Sequence, residues 1–155
     1  MKVTPRQLLA LTEIWKTNGS RTCVLPEGTP LWHCGHIPST AEVDDFEMLW
    51  TTRDALKSED YAGVARNTDG RDLRAATRVD LLVSNDLAAA DFNKASLQDF
   101  TIALCDCRHD TMKSALRAWC IEYGFEAIVS INGGNDEVAI VQPRTHLTIV
   151  TTTSL

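Results

Sequence analysis

The segment MLWTTRDALKSEDYAG, residues 48–63, changes its hydrophobic pattern within a few positions. Its start, with Leu49, Trp50 and two threonines, is typical of a β-strand. The remainder has the spacing of a short amphipathic helix that ends near Gly63. One large aromatic residue, Trp50, therefore lies on the predicted strand, and a second, Tyr61, lies about three helical turns further on. The pattern predicts a strand that leads directly into a helix.

The residues before this segment predict one helix and two strands. The helix covers Pro5–Thr17, with Thr4 as N-cap and Gly19 as stop. Its apolar residues recur at helical spacing and predict a face on the core: Leu8, Leu11, Ile14 and Trp15. RTCVLPEGTPLWHCG, residues 21–35, predicts a strand, a Pro-Gly turn and a second strand. The acidic STAEVDDFE is predicted to be a loop.

The residues after position 76 are rich in predicted strands. TRVDLLVSN predicts a strand, DLAAADFNKASL a helix that starts near Asp86, and FTIALCDC another strand. HDTMKSALRAWCIEYGF is the clearest helix, with an apolar side that includes Leu116 and Trp119, and Gly124 is placed to end it. EAIVSI, EVAIVQ and HLTIVTT predict strands, the first two joined by an NGGND turn. The chain is thus predicted to be one α+β domain over residues 1–155.

The composition is that of an ordinary globular protein, with 44% hydrophobic and 23% charged residues. No apolar run approaches the ~20 residues that span a membrane, and the N-terminus lacks the apolar region of a signal peptide. The five cysteines are odd in number and irregularly spaced, which fits reduced thiols in a cytoplasm. We therefore expect a cytoplasmic protein that makes no membrane contact.

The charge pattern bears on nucleic acid and metal binding. A net charge of −6 argues against broad contact with nucleic acid, although a local patch stays open. Aspartates dilute the densest run of arginines, which predicts a solvated face: Arg66, Arg71, Arg74 and Arg78. CDCRH contains three possible metal ligands, Cys105, Cys107 and His109, without a second ligand pair at zinc-site spacing. In a strand, Cys105 and Cys107 would share one face, and no metal site is predicted.

Three segments contain side chains suited to chemistry on a nucleotide. His33 lies in LWHCG near the end of a predicted strand, Trp50 and Tyr61 lie in the segment quoted first, and Glu137 opens EVAIV. Each feature alone is common in proteins: a histidine on a strand, aromatic residues in a core, a carboxylate at a strand end. Their order along the chain is more informative than any one of them.

In that order, the three segments resemble the NAD-binding segments of ADP-ribosyltransferases. The resemblance is to the His-Tyr-Glu branch, which includes the poly(ADP-ribose) polymerases and the diphtheria-type toxins. That branch has a His-Gly pair on a first strand, a Tyr strand followed by a helix with S-K-S-x-x-Y, and a later strand opened by a glutamate. Lys57, Ser58 and Tyr61 match the helix pattern without a gap, and Glu137 opens the third strand. The resemblance implies an ADP-ribosyltransferase-like split β-sheet core with flanking helices.

The resemblance also implies a reaction, with NAD as co-substrate and a macromolecule, foremost a protein, as acceptor. Cleavage of the nicotinamide–ribose bond gives the ribose oxocarbenium character, and Glu137 would stabilise that charge as the catalytic residue. His33 would hydrogen-bond the adenosine ribose. Trp50, which stands where the family has a tyrosine, and Tyr61 would enclose the nicotinamide ring, because offset stacking of flat rings is favourable.

Two positions beside these residues are implied to bind NAD as well. The backbone after His33 would pair with the nicotinamide amide, at Cys34, where the family has glycine, or at Gly35 if the strand contains a bulge. Thr51 and Thr52 suggest a second relation, because a related Arg-Ser-Glu branch places a hydroxyl on this strand. One of these threonines would then hold the carboxylate of Glu137.

Two other classes of function stay open. The triplets HDT and HLT, which begin at His109 and His146, match the H-x-T motif of two-histidine phosphoesterases, in which both histidines lie on strands. However, HDT falls at a predicted helix start, with Asp110 or Thr111 as cap. The third possibility is a binding or inhibitor module without catalytic activity, such as a viral or bacterial effector that acts on a host protein.

Overall fold

The computed structural model describes residues 3–19, 21–34, 48–55, 77–106, 108–131 and 136–154. The helices within these ranges are α1 (Pro5–Thr17), α2 (Leu97–Leu104), α3 (His109–Tyr123) and α4 (Pro143–His146). The strands are β1 (Arg21–Leu25), β2 (Pro30–Cys34), β3 (Leu49–Thr52), β4 (Thr77–Val83), β5 (Leu87–Ala95), β6 (Ala127–Ile131), β7 (Glu137–Ile140) and β8 (Leu147–Ser154). None of the helices has both the length and the apolar character needed to cross a membrane.

The eight strands form one mixed sheet in the order β1-β5-β6-β7-β3-β2-β4-β8. β5 and β6 are parallel, and the other neighbouring strands are antiparallel. The α+β class is therefore confirmed. Among the described residues, the register between β2 and β3 is the shortest in the sheet and consists of the pair Trp32 and Thr52. By contrast, β3 pairs with β7 over its full length.

Two apolar cores lie on the two faces of this sheet. The helix-side core packs α1, α2 and α3 against the sheet and includes Leu11, Phe92 and Trp119. The second, the strand-side core, combines residues from strands far apart in the sheet order, among them Leu25 of β1 and Val83 of β4. The sheet therefore curves around the strand-side core, because curvature brings β1 and β4 into one core although five strands lie between them in the sheet order.

Local signals account for the helices that were predicted correctly. α1 spans Pro5–Thr17 as predicted, with a capping box in which Thr4 and Gln7 each accept the other's backbone N–H. α3 also forms as predicted and ends at Gly124 with a φ of 77°. The predicted apolar faces of both helices lie on the helix-side core.

The start of α3 differs from the prediction. The N-cap residue is Arg108, and neither Asp110 nor Thr111 caps the helix. Thr111 instead donates its hydroxyl to Asp106 Oδ2 at 2.9 Å, and the Arg108 guanidinium contacts the same carboxylate. Hydrogen bonds from Arg108 hold the pKa of Asp106 well below its usual range. Asp106 thus stabilises the turn between α2 and α3, although it is not part of either helix.

The elements between residues 86 and 107 are exchanged relative to the prediction. The segment predicted to be a helix forms the strand β5. Its side chains point to both faces of the sheet: Leu87 and Ala89 lie in the strand-side core, and Ala90 and Phe92 lie in the helix-side core. A strand buried on both faces has a continuous apolar sequence that resembles a helix in periodicity. Small alanine side chains allow both cores to approach the strand closely.

The predicted strand FTIALCDC lies mostly in α2. Ser96 and Asp99 form a capping box in which the Ser96 hydroxyl accepts the Asp99 N–H at 3.2 Å, and Phe100 and Leu104 are then buried one helical turn apart. Cys105 is the C-cap residue with a φ of 54°, so the prediction that Cys105 and Cys107 share a strand face is wrong. Cys107 lies outside the described residues.

Candidate functional site

The strands that contain the predicted catalytic and NAD-binding residues are neighbours in the sheet. β3, with Trp50, lies between β2, with His33, and β7, with Glu137. In the register, Thr52 pairs with both Trp32 of β2 and Glu137 of β7. Three segments that are far apart in the sequence thus meet at one end of β3. Arg53 extends this contact, because its N–H donates to the carbonyl of Asp136 at 2.7 Å.

His33 connects β2 to β3 through its side chain. The imidazole Nδ1 lies 2.7 Å from the carbonyl oxygen of Trp50. A carbonyl oxygen can only accept, so Nδ1 carries the hydrogen and donates it. In the neutral ring, Nε2 is then the acceptor nitrogen. The ring is half-buried, so a ligand can reach its edge.

The two faces of the sheet divide the predicted residues. Successive residues of a strand face opposite sides, and residues paired in register share a side. Trp50 and Glu137 therefore face the helix side, with Thr52 between β2 and β7, and the half-buried Trp50 packs against the helix-side core. His33 and Thr51 face the strand side. The register pair of β2 and β3, Trp32 and Thr52, lies beside both sets of residues.

The structure separates the roles of the two threonines. Thr51 is buried and donates its hydroxyl to the carbonyl of Val138 at 2.8 Å, so this hydroxyl holds β3 to β7. Thr52 is directly opposite Glu137, and its Oγ1 accepts the N–H of Asp54 at 3.1 Å. That contact occupies a lone pair of Oγ1 and orients the hydroxyl hydrogen toward other acceptors. Thr52 is therefore the threonine that shares a face of the sheet with Glu137, whereas Thr51 faces the other side.

The remaining predicted NAD-binding residues are only partly covered. Cys34 is buried at the end of β2, where it pairs with Arg78 of β4. Gly35 and Tyr61 lie outside the described residues, as do Lys57 and Ser58. The predicted enclosure of nicotinamide between Trp50 and Tyr61 therefore stays a prediction.

Ser130 is a polar residue near Glu137 that the sequence did not single out. It lies in β6 with a φ of 57°, a left-handed conformation that is uncommon for a residue other than glycine. The register of β6 with β7 ends at Val129 and Val138. Beyond it, Ile131 lies in the helix-side core although Val129 lies in the strand-side core, so Ser130 interrupts the alternation of β6. Nothing in the local sequence predicts this conformation, because a serine within an apolar strand pattern is unremarkable.

The two histidines of the H-x-T triplets do not occupy strands. His109 is the first residue of α3, and His146 is the last residue of α4. His146 is buried, with Nε2 3.5 Å from Oε2 of Glu126, near the end of β7 that is remote from Glu137. The strand placement that a two-histidine phosphoesterase requires is therefore missing at both positions.

The comparisons with known proteins bear on the fold. No protein-family model matches this sequence, and no curated protein matches it. A similar structure is a chain in the crystal structure of the M. tuberculosis MbcT–MbcA toxin–antitoxin complex, with a TM-score of 0.57 and 11% sequence identity. The similarity covers 94% of this chain and 92% of that chain. At this level of identity the similarity shows a shared fold over nearly the whole length of both chains.

Proposed function

We propose that this protein is an NAD-dependent ADP-ribosyltransferase that moves ADP-ribose from NAD to a macromolecular acceptor. The observation that supports it most strongly is the adjacency of β2, β3 and β7, which assembles His33, Trp50 and Glu137 from segments distant in sequence. These segments stand in the order in which the ADP-ribosyltransferases have theirs. We place the NAD cleft beside the junction of β2 and β3, where Trp32 and Thr52 are in register.

Glu137 is proposed to act on the nicotinamide ribose. The bond between the nicotinamide nitrogen and the ribose carbon breaks, nicotinamide leaves with the bonding electrons, and positive charge develops on the ribose. A carboxylate fixed beside the ribose stabilises this charge and orients a ribose hydroxyl or the acceptor. Because β7 begins at Glu137, the carboxylate stands at a strand end, where a substrate can approach it.

The other residues are proposed to hold NAD at its two ends. Trp50 and Tyr61 would form the walls around nicotinamide, whose amide would pair with the backbone at Cys34 or Gly35. His33, whose Nδ1 donates to the Trp50 carbonyl, would hydrogen-bond the adenosine ribose.

A protein is the acceptor class that we propose. The net charge of −6 opposes broad binding of nucleic acid. The structurally similar chain comes from a toxin–antitoxin complex, so we further propose a toxin-like effector that is held by a protein partner. A substrate protein and an inhibitory protein are distinguishable, because only the substrate becomes labelled.

The function is tested by incubating purified protein with NAD labelled in the adenosine part, together with a cell lysate. We expect release of nicotinamide and transfer of the label to a protein band. Labelled nucleic acid would change the acceptor class, and release of free ADP-ribose alone would indicate a glycohydrolase. Neither NAD turnover nor saturable NAD binding would refute the proposal and leave a binding module on this fold.

Thr52→Val is expected to reduce kcat for NAD turnover about tenfold with little change in KM. The loss of a hydrogen bond to a charged group has about this size, near 1.4 kcal/mol. Steady-state nicotinamide release measures both constants. Thr51→Val is the matched comparison, since it removes a hydroxyl that bonds the Val138 carbonyl and should mainly lower stability. A larger kcat loss in Thr51→Val than in Thr52→Val would contradict this assignment.

A further inference from the structure

β8 is an edge strand that lacks the charged residues and proline by which many edge strands avoid pairing, although its register with β4 shifts by one residue between Ile149 and Thr151. It is the last strand in the sheet order and pairs, among the described residues, with β4 on one side. Its sequence, LTIVTTTS, contains no charged residue and no proline. Charged side chains and proline are the usual means by which edge strands avoid pairing with other chains.

The opposite edge strand, β1, differs from β8 in length and in charge. β1 is shorter, with five residues, and it is followed by Pro26. It carries Arg21, whose guanidinium forms an ion pair with Asp91 at 3.0 Å. β1 therefore has the protection that β8 lacks, although Val24 on β1 is as exposed as the apolar residues of β8.

An apolar row of the strand-side core reaches the edge at β8 and ends there uncovered. Leu31 of β2 pairs with Leu81 of β4, and Leu81 pairs with Ile149 of β8. The exposed fraction along this row rises from 0% at Leu31 and 2% at Leu81 to 55% at Ile149. Val150, beside Ile149, is 57% exposed. A further strand that pairs with β8 and places an apolar residue beside Ile149 would extend this row and cover Ile149.

We propose that β8 is a self-association surface, on which a second copy of this chain adds its own β8 in antiparallel orientation. A second copy supplies the apolar residue that the row needs, namely its own Ile149 or Val150. It also meets β8 without like charges facing each other, although each chain is acidic overall, because LTIVTTTS is neutral. Threonine and other β-branched residues opposite one another are favourable cross-strand pairs. The two sheets then join into one sheet across a twofold axis.

The oligomeric state of the full chain tests this inference. Sedimentation velocity over roughly 1–100 µM should show a reversible monomer–dimer equilibrium, in the affinity range expected for a small interface. Ile149→Lys and Thr151→Lys each place two ammonium groups near one another across the twofold axis and should raise Kd at least tenfold. Circular dichroism spectra confirm that both variants stay folded.

Val24→Lys is the matched control, because it introduces the same charge at an exposed apolar residue of the other edge strand. It should leave Kd for the dimer unchanged. Two results would overturn the inference: a wild-type protein that stays monomeric at about 100 µM, or a dimer that Val24→Lys disrupts and the two β8 variants do not. Thr151→Lys retains Ile149. If one of the two β8 variants does not fold, the Kd of the other still tests the inference.

Discussion

Glu137→Gln is expected to lower the turnover of NAD by about 100- to 1,000-fold while NAD binding persists, the size seen when a preorganised electrostatic contact to a transition state is removed. Glutamine has nearly the shape of glutamate but no charge, so it fits the space of the half-buried side chain. What it removes is the negative charge beside the developing oxocarbenium ion. The effect should therefore appear in kcat, with little change in the Kd for NAD.

Glu122→Gln is the control for this variant, since it removes the same charge from an exposed position on α3. Its turnover should equal that of the wild-type protein. Nicotinamide release gives kcat, and titration calorimetry with NAD gives Kd. If Glu137→Gln turns over NAD as fast as the wild-type protein, Glu137 is not the catalytic residue. If neither protein turns over NAD although both bind it, a binding role on this fold becomes the better hypothesis.

The sequence predicted those elements whose signals are local. α1 and α3 follow from a capping residue, a helical apolar period and a glycine stop, all of which act within a few residues. The strands β4, β6 and β8 follow from compact runs of β-branched residues. In each case the local preference and the tertiary packing agree, so the local pattern was sufficient.

β5 and α2 could not be predicted in the same way, because tertiary packing decides between them. Ala88, Ala89 and Ala90 favour a helix by intrinsic propensity, but burial of Ala89 in the strand-side core and of Ala90 in the helix-side core stabilises a strand. The capping box of Ser96 and Asp99 was the local signal for α2. Its effect was obscured by the apolar run that follows, which fits a strand as well as a helix.

For the candidate site, the sequence shows the order of its residues along the chain but not their arrangement in space. The chain order of His33, Trp50 and Glu137 predicted that they belong together, and the sheet order makes their strands neighbours. The sequence could not show which threonine faces Glu137, because that depends on a register of one residue between β3 and β7. Nor could it show the left-handed backbone of Ser130, which is a property of the assembled sheet.

Trp119→Ala is expected to destabilise the protein by about 3–5 kcal/mol, a large part of the roughly 5–15 kcal/mol that keeps a domain folded. Trp119 is fully buried at the centre of the helix-side core. Its ring stacks on Phe125 at a centroid distance of 5.3 Å and lies 5.2 Å from the ring of Phe92. Alanine leaves a cavity where three elements, α3, β5 and the start of β6, meet.

The indole of Trp119 also links α3 to α1 through a hydrogen bond. Its Nε1–H donates to Oγ1 of Thr12 at 3.0 Å, and the Thr12 hydroxyl donates in turn to the carbonyl of Leu8 at 3.1 Å. Trp119→Phe keeps an aromatic ring in the core but removes this donor. Its destabilisation should therefore be smaller than that of Trp119→Ala and larger than zero.

Ile121→Ala is the control, because Ile121 lies on the same helix with an exposed side chain. Its free energy of unfolding should stay within about 0.5 kcal/mol of the wild-type value. Urea denaturation followed by circular dichroism compares the four proteins without relying on tryptophan fluorescence, which the substitutions themselves change. A loss in Trp119→Ala no greater than that in Ile121→Ala would mean that the helix-side core does not hold α1 and α3 against the sheet. We expect the free energy of unfolding to rise in the order Trp119→Ala, Trp119→Phe, wild type. This order separates the packing of the ring from its hydrogen bond, since Trp119→Ala removes both and Trp119→Phe removes only the hydrogen bond.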